Sequence, residues 1–444
     1  MSKTKKQETK SIGSLVDFMT KSIKAAKKED VLRLLKDVKT VEVAGCPVPS
    51  PQFNHVLEST QGIIPYGSMI EIIGWESVGK TTLAWQIVMA ELQKDSNSIA
   101  HYVDVERSGF GYKLAQDFAI DENRCFITQP KNGEEALSSV NRVLLDMKRY
   151  REQKEIQAIP ESKRPHGIIV VDSIPALVPK VIIEADPDEE KKKTQLAALA
   201  ALMSQTCSKF TSLVAEAGVI LIFVNQWRTA FDIRTARSWL EPTGGKALRF
   251  YADMRFTVSK KATAKVGEKE VGLENEVKCI KNKLGVPMRV AKIVLGWGNG
   301  PYDLGIDIFN DLFLMTKTAG IREQPKGNTW SSITRPAKEE VKFQGLMGFK
   351  KKLLEDKELL EFCIKSCGLD NYKTLFINRY KTLRTRQDVI SSIEESDIQH
   401  KEVTPEDEEG SKVKQMDDGD YSAEAVSQMG EDAADVAKNI PKGK

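Results

Sequence analysis

The run Gly74-Trp75-Glu76-Ser77-Val78-Gly79-Lys80-Thr81-Thr82 has the residue types and spacing of a loop that wraps a polyphosphate. Its glycines let the backbone curl so that successive N–H groups face one phosphate, at the positive end of a following helix. Lys80 brings a charge to the outer phosphates, and the Thr81 hydroxyl is a ligand for Mg2+. The remaining chemistry comes from polar residues that each end an apolar run. The run from Gly167 ends in Asp172, a carboxylate suited to hold Mg2+ beside Thr81. The run from Ile99 leads to Glu106, a candidate base for an attacking water. The run from Gly218 ends in Asn225 and Gln226, and the Gln226 amide is able to sense a γ-phosphate. Asp172 also admits a helix-capping role, and Glu106 and Gln226 plain structural ones. ATP and Mg2+ are the expected ligands.

Side chains that must meet on one nucleotide need strands that end at one edge of a sheet, where ligands of open α/β sheets bind. Met69–Ile73 reads as a strand leading into the loop and Thr82–Met89 as a helix leaving it. Further strand candidates are Ile99–Val105, Ile168–Val171, Val219–Val224, Met254–Val258, Val277–Ile280 and Ala291–Leu295. Helical periodicity covers Gly133–Arg151 and Leu196–Ala217. The alternation predicts an α/β fold with a mostly parallel, doubly wound sheet, its later strands forming antiparallel edge pairs.

Around this core, covering 46–310, the composition changes twice. Residues 1–45 hold an amphipathic helical segment (Leu15, Val16, Phe18, Met19, Ile23, then Val31, Leu32, Leu34, Leu35) that either packs on its own core or docks on a neighbouring subunit. Residues 311–400 are helical and lysine-rich, as a small C-terminal domain, and 401–444 form an acidic tail with the composition of a disordered segment. The net charge of +3 leaves any nucleic-acid affinity to local basic clusters. The six cysteines lack metal-ligand spacing and are expected to be reduced thiols. No run approaches the ~20 apolar residues of a membrane span, so a soluble, cytoplasmic protein without a membrane partner is expected.

These motifs, in this order, resemble the bacterial RecA recombinase family. The phosphate loop is similar to the family's GPESSGKTT, and Val170 to Pro179 to its VVDSVAALTP. Leu202-Met203-Ser204-Gln205 resembles MMSQ, Phe223 to Arg228 resembles FINQIR, and Thr243 to Ala252 resembles TGGNALKFYA. Lys281-Asn282-Lys283 with Pro287 is similar to the family's KNK followed by proline. The resemblance spans Gly62 to Gly305, and it implies a RecA-type ATPase core. It also implies Glu106 as hydrolytic base and Gln226 as a γ-phosphate switch coupled to DNA. Lys281 and Lys283 would reach the neighbouring subunit's ATP, with Arg249 and Phe250 at the same interface. Tyr112 is the candidate for stacking on adenine.

The resemblance further implies two DNA-facing loops. The first, about Glu184–Gln195, contains Lys191, Lys192 and Lys193, which are either phosphate contacts or a solvated turn. The second, Arg228 to Thr243, interleaves Arg228, Arg234 and Arg237 with Trp239, a pattern for single-stranded DNA. Gly244 and Gly245 follow at its end. The implied activity is DNA-dependent ATP hydrolysis by a helical filament on single-stranded DNA that searches a homologous duplex and exchanges strands, in a bacterial or phage-infected cell. A single-strand-binding protein and loading factors are further candidate partners. A hexameric helicase with the same core, or a nucleotide-binding regulator without catalysis, are the alternatives. Thr243–Ala252 and Lys281–Lys283 disfavour the helicase, and intact Lys80, Thr81, Glu106 and Asp172 the regulator.

Overall fold

The computed structural model describes residues 44–57, 62–184, 192–232, 237–266, 268–300 and 302–385. In chain order these form β1 (Gly45–Pro47), α1 (Pro51–Val56), β2 (Ile63–Pro65), β3 (Met69–Gly74), α2 (Lys80–Lys94), β4 (Ile99–Asp104), α3 (Phe110–Asp117), β5 (Cys125–Thr128), α4 (Gly133–Arg151), α5 (Lys154–Gln157) and β6 (Gly167–Asp172). There follow α6 (Lys180–Ile183), α7 (Lys192–Ala217), β7 (Val219–Asp232), β8 (Arg237–Pro242), α8 (Ala247–Tyr251), β9 (Met254–Val266), β10 (Lys269–Asn282), β11 (Val290–Gly296) and β12 (Gly305–Ile306). The C-terminal part adds α9 (Ile308–Thr318), β13 (Arg322–Glu323), β14 (Trp330–Ile333), β15 (Val341–Gln344), α10 (Gly345–Glu355), α11 (Lys357–Ser366) and α12 (Lys373–Thr385).

The main sheet runs in the order β12-β11-β10-β9-β3-β7-β6-β4-β5. From β9 to β5 all neighbours are parallel, and β9 to β12 pair antiparallel. The expected mostly parallel sheet with antiparallel edge pairs is therefore present. Its central strands are buried on both faces, which is why they read as unbroken apolar runs instead of alternating ones. Alternate residues still separate into two cores. Ile70, Ile72, Ile168, Val170, Ile220 and Ile222 pack with Trp85 and Ile87 of α2 on one face. Met69, Ile169, Val171, Leu221 and Phe223 pack with α4 and α7 on the other.

The covering helices carry their own signals. Helix α4 is capped by Asn132, whose side chain accepts from the Glu135 N–H, while the Glu135 carboxylate accepts from the Lys131 N–H. Helix α7 buries Met203, Cys207, Phe210 and Val214, one stripe at helical spacing. The apolar core under α1 and α2 continues into Phe309, Leu346, Phe349, Leu360 and Phe376 of the C-terminal helices. A three-stranded antiparallel sheet, β13-β14-β15, lies in this last part.

One difference concerns the segment expected to form the second DNA-facing loop. β7 does not stop at the sheet edge but runs on to Asp232 and pairs antiparallel with β8, Trp227 opposite Pro242 and Asp232 opposite Arg237. The segment is a two-stranded ribbon, because Trp227, Thr229, Phe231 and Trp239 are good strand residues that pair across a short connection. The expected N-terminal helical segment, Lys191, Arg234 and the acidic tail lie outside the described residues. Among the described residues no helix is long and apolar enough to cross a membrane.

Candidate nucleotide and nucleic-acid site

The strand pairings bring the polar strand ends together. Gly74 at the end of β3 lies opposite Gln226 on β7, and Asp104 at the end of β4 lies opposite Asp172 on β6. The loop from Gly74 to Gly79 turns over this edge into α2. Gly79 has φ +83 and Ser77 φ 57, so the turn uses left-handed backbone at both positions. A Cβ at Gly79 would also lie 2.4 Å from Leu295 Cδ1, so the residue is fixed by space as well as by φ. No side chain caps the start of α2. Its first N–H groups are left for an outside acceptor, as an anion site at a helix N-terminus requires.

Lys80 is buried, and its ammonium donates to the Trp75 carbonyl across the loop at 2.6 Å. Burial pushes its pKa down, against the opposing pull of Asp172, Glu106 and Glu76. The Thr81 hydroxyl donates to Asp172 Oδ2 at 2.6 Å. Burial raises the Asp172 carboxyl to about 6; the hydrogen bond from Thr81 opposes this, and the Glu106 charge adds to it. A hydroxyl and a carboxylate in contact are hard oxygen donors, the set Mg2+ takes alongside phosphate and water. No cluster of three or more His, Cys, Asp or Glu side chains suited to a metal occurs among the described residues. The residues thus fit a magnesium ion held jointly with a nucleotide, not a cage made by protein alone.

Glu106 is exposed just beyond β4, and the Ser173 hydroxyl donates to its Oε1. Gln226 is half-buried, with its N–H held by the Asn225 side-chain oxygen at 2.8 Å. The Asn225 amide in turn donates to Glu71 Oε1 at 2.6 Å and to the Thr243 carbonyl at 2.9 Å. Arg255 completes this buried cluster by pairing with Glu71 at 2.6 Å. Tyr112 sits half-buried on α3 near Asp104 and Gln129.

A second grouping lies at the end of β10. The Lys281 ammonium donates to the carbonyls of Arg249 and Phe250 at 2.8 and 2.9 Å, capping α8. Lys283 pairs with Asp253 at 2.8 Å. Burial and the charges of Lys283 and Arg255 push the Lys281 pKa down. Phe250 is 67 % exposed, and Leu284, Val286 and Met288 in the β10–β11 turn are exposed too. The structure therefore brings together Lys281, Lys283, Arg249 and Phe250 on one surface, apart from the chain's own phosphate loop.

Arg228 is exposed and Trp239 half-buried on the β7–β8 ribbon. Arg237 opens β8, and Lys192 and Lys193 open α7. Gly244 and Gly245 adopt φ +90 and +74 and pack against Ile174 and Ala200, where a Cβ would stand under 3 Å away. Any contact they make with a phosphate is through the backbone. Two site residues escaped the reading of the sequence. The Tyr102 hydroxyl donates to Asp172 Oδ2, and the Asn275 amide to the Val78 carbonyl. Both sit inside strands, and only the three-dimensional pairing exposes them.

A strand, a glycine-bearing loop with Lys80 and Thr81, a helix, and an acid ending a strand two places across the sheet define a P-loop nucleotide-binding fold. Its variant is set by sequence. A profile described as the RecA N-terminal domain matches residues 15–301, and the chain belongs to the RecA family. It is 33 % identical over 330 residues to Protein RecA of Aquifex pyrophilus, covering 74 % of this chain and 83 % of that one. Against Protein RecA of Chlorobium limicola it is 33 % identical over 300 residues, 68 % of this chain and 75 % of the relative. For Protein RecA of Thermus aquaticus the figures are 34 % over 272 residues, 61 % and 71 %.

Proposed function

We propose that this chain is a DNA-dependent ATPase that assembles as a helical filament on single-stranded DNA, searches homologous duplex DNA and exchanges strands, in the cytoplasm. The observation that carries the reading is the course of β7. One continuous strand, Val219–Asp232, sets Gln226 beside Gly74 at the end of the phosphate-loop strand and then becomes the ribbon that bears Arg228. A contact made by Gln226 with a γ-phosphate is thereby felt in the DNA-facing ribbon through two residues of backbone.

In this reading Gly74 to Thr82 cradle the phosphates with backbone N–H groups. Lys80 exchanges its hold on the Trp75 carbonyl for the outer phosphates. Thr81 and Asp172 would hold magnesium, which when bound would supply positive charge beside the phosphates. Glu106, turned by Ser173, takes a proton from the attacking water. Tyr112 stacks on the base. Lys281 and Lys283 face the neighbouring subunit's nucleotide and supply positive charge there, as an arginine finger does. The arginines at 228, 234 and 237, with Lys191 to Lys193, pair with DNA phosphates. Trp239 stacks on a base, a contact typically worth ~1–3 kcal/mol.

The deciding experiment measures ATP turnover with and without single-stranded DNA, beside negative-stain images of both samples. Strong stimulation with helical filaments is expected. DNA-independent turnover or closed rings would favour a helicase, and nucleotide binding without turnover a regulator.

A further inference from the structure

We propose that Tyr102 is a positioning residue for the magnesium–nucleotide site, acting through Asp172; the inference rests on the ATPase reading above. Tyr102 lies on β4, opposite Val170 of β6, with its ring on the same face of the sheet as Asp172. Its hydroxyl donates to Asp172 Oδ2 at 3.0 Å, and the Thr81 hydroxyl reaches the same oxygen from the other side at 2.6 Å.

The two donors are not equivalent. Thr81 is half-buried in the first turn of α2, and in the ATPase reading its oxygen would also be a ligand of the metal. Tyr102 is buried in the core beneath, and its hydroxyl donates to Asp172, its one hydrogen-bond partner among the described residues. A phenol at that depth is stable only with a partner, and the carboxylate is that partner.

The ring cannot drift. It packs on Trp85 with centroids 4.9 Å apart, and Gly111 also lies close against it. A Cβ at Gly111 would stand 2.5 Å from Tyr102 Cε1 and 2.7 Å from its hydroxyl oxygen. The start of α3 thus has a glycine because the Tyr102 ring occupies the space, and the residue after it is Tyr112. Asp172 is consequently held in one orientation by a rigid phenol whatever Thr81 does. Without that hold the carboxylate must be ordered anew each time magnesium enters, and the loss falls on the metal-dependent part of binding.

The test compares wild type and Tyr102→Phe in binding of a fluorescent ATP analogue, titrated with Mg2+ and repeated in EDTA. Phe keeps the ring and its packing and removes only the hydroxyl; thermal melting of both proteins checks the fold. The expected result is about a tenfold rise in the Mg2+ concentration for half-maximal binding, the size of one hydrogen bond to a charged group. Affinity in EDTA should move little. A uniform loss of affinity with and without Mg2+ would mean a packing role only and would overturn the inference. So would an unchanged Mg2+ midpoint in a variant that binds nucleotide like wild type. A wild-type protein that binds no nucleotide in Mg2+ would overturn the ATPase reading itself.

Discussion

The side-chain amide of Asn275 donates to the backbone carbonyl of Val78 at 2.7 Å, a bond between residues 197 positions apart in the chain. It places the crown of the phosphate loop on β10, the strand that ends in Asn282. Leu295 of the neighbouring β11 closes on Gly79 from the same side. The loop is therefore supported from behind by the antiparallel half of the sheet, not only by its own turn. The strand that props the phosphate loop at Asn275 thus also carries Lys281 near its end.

Removing this prop should loosen the loop without touching a phosphate contact. Asn275→Ala leaves the buried Val78 carbonyl without a partner, which costs about 1–3 kcal/mol. Urea denaturation should show that loss, and the KM for ATP should rise about tenfold, as a preformed anion site becomes one that must be ordered on binding. Unchanged stability and KM would mean the contact is incidental.

Glu71 and Arg255 give a second prediction, because both are buried and joined across β3 and β9. Removing one member of a buried pair strands the other, typically at a cost of about 3–5 kcal/mol, whereas neutralising both is far milder. Arg255→Met alone should therefore be severely destabilised in urea, and Arg255→Met with Glu71→Gln should recover most of the loss. The Gln still accepts from Asn225, so the support of Gln226 is retained. A double variant as unstable as the single one would show that the pair is not the source of the effect.

These contacts also mark how far the sequence could be read. Strands β3, β4 and β6 and helix α4 were legible because their signals are local: apolar runs buried on two faces, a phosphate loop, a sustained helical periodicity. β9 and β10 were legible only at their inner ends, Met254–Val258 and Val277–Ile280. Their outer halves carry Lys260, Lys261, Glu270 and Glu276 on a partly solvated hairpin, and register shifts interrupt the alternation. The convergence of Lys80, Thr81, Asp172 and Glu106 followed from motif order. Asn275–Val78, Tyr102–Asp172 and Arg255–Glu71 did not, because each is fixed by strand order and no residue nearby in sequence announces it.

The Ser173–Glu106 bond suggests a graded test of the base. Glu106→Gln keeps the shape and the Ser173 contact but cannot take a proton. Loss of general-base catalysis is typically worth about 100- to 10,000-fold, so turnover should fall by that order while nucleotide binding persists. Ser173→Ala leaves the carboxylate in place but unrestrained, and a smaller, several-fold loss in kcat is expected. Steady-state turnover beside equilibrium nucleotide binding separates the two effects. Full activity in Glu106→Gln would remove Glu106 as the base.

Asp311 predicts a pH dependence of stability. It is buried at the start of α9, where its carboxylate accepts the Ser50 hydroxyl that caps α1. Burial lifts its pKa from 3.8 to about 7; the Ser50 hydrogen bond opposes the rise and the Asp307 charge adds to it. Between those two values the folded protein keeps a proton that the unfolded chain has released. Stability from this group is therefore full at acid pH, falls as pH rises from about 4 to about 7, and is level above that. Three units at about 1.4 kcal/mol each would set a ceiling near 4 kcal/mol; relaxation around the buried group makes on the order of 2 kcal/mol the expected size. Asp311→Asn cannot ionise and still accepts the Ser50 hydroxyl. It should match wild type near pH 4 and melt several degrees higher at pH 8. Melting curves that differ by the same amount at both pH values would mean that Asp311 carries no buried ionisation penalty.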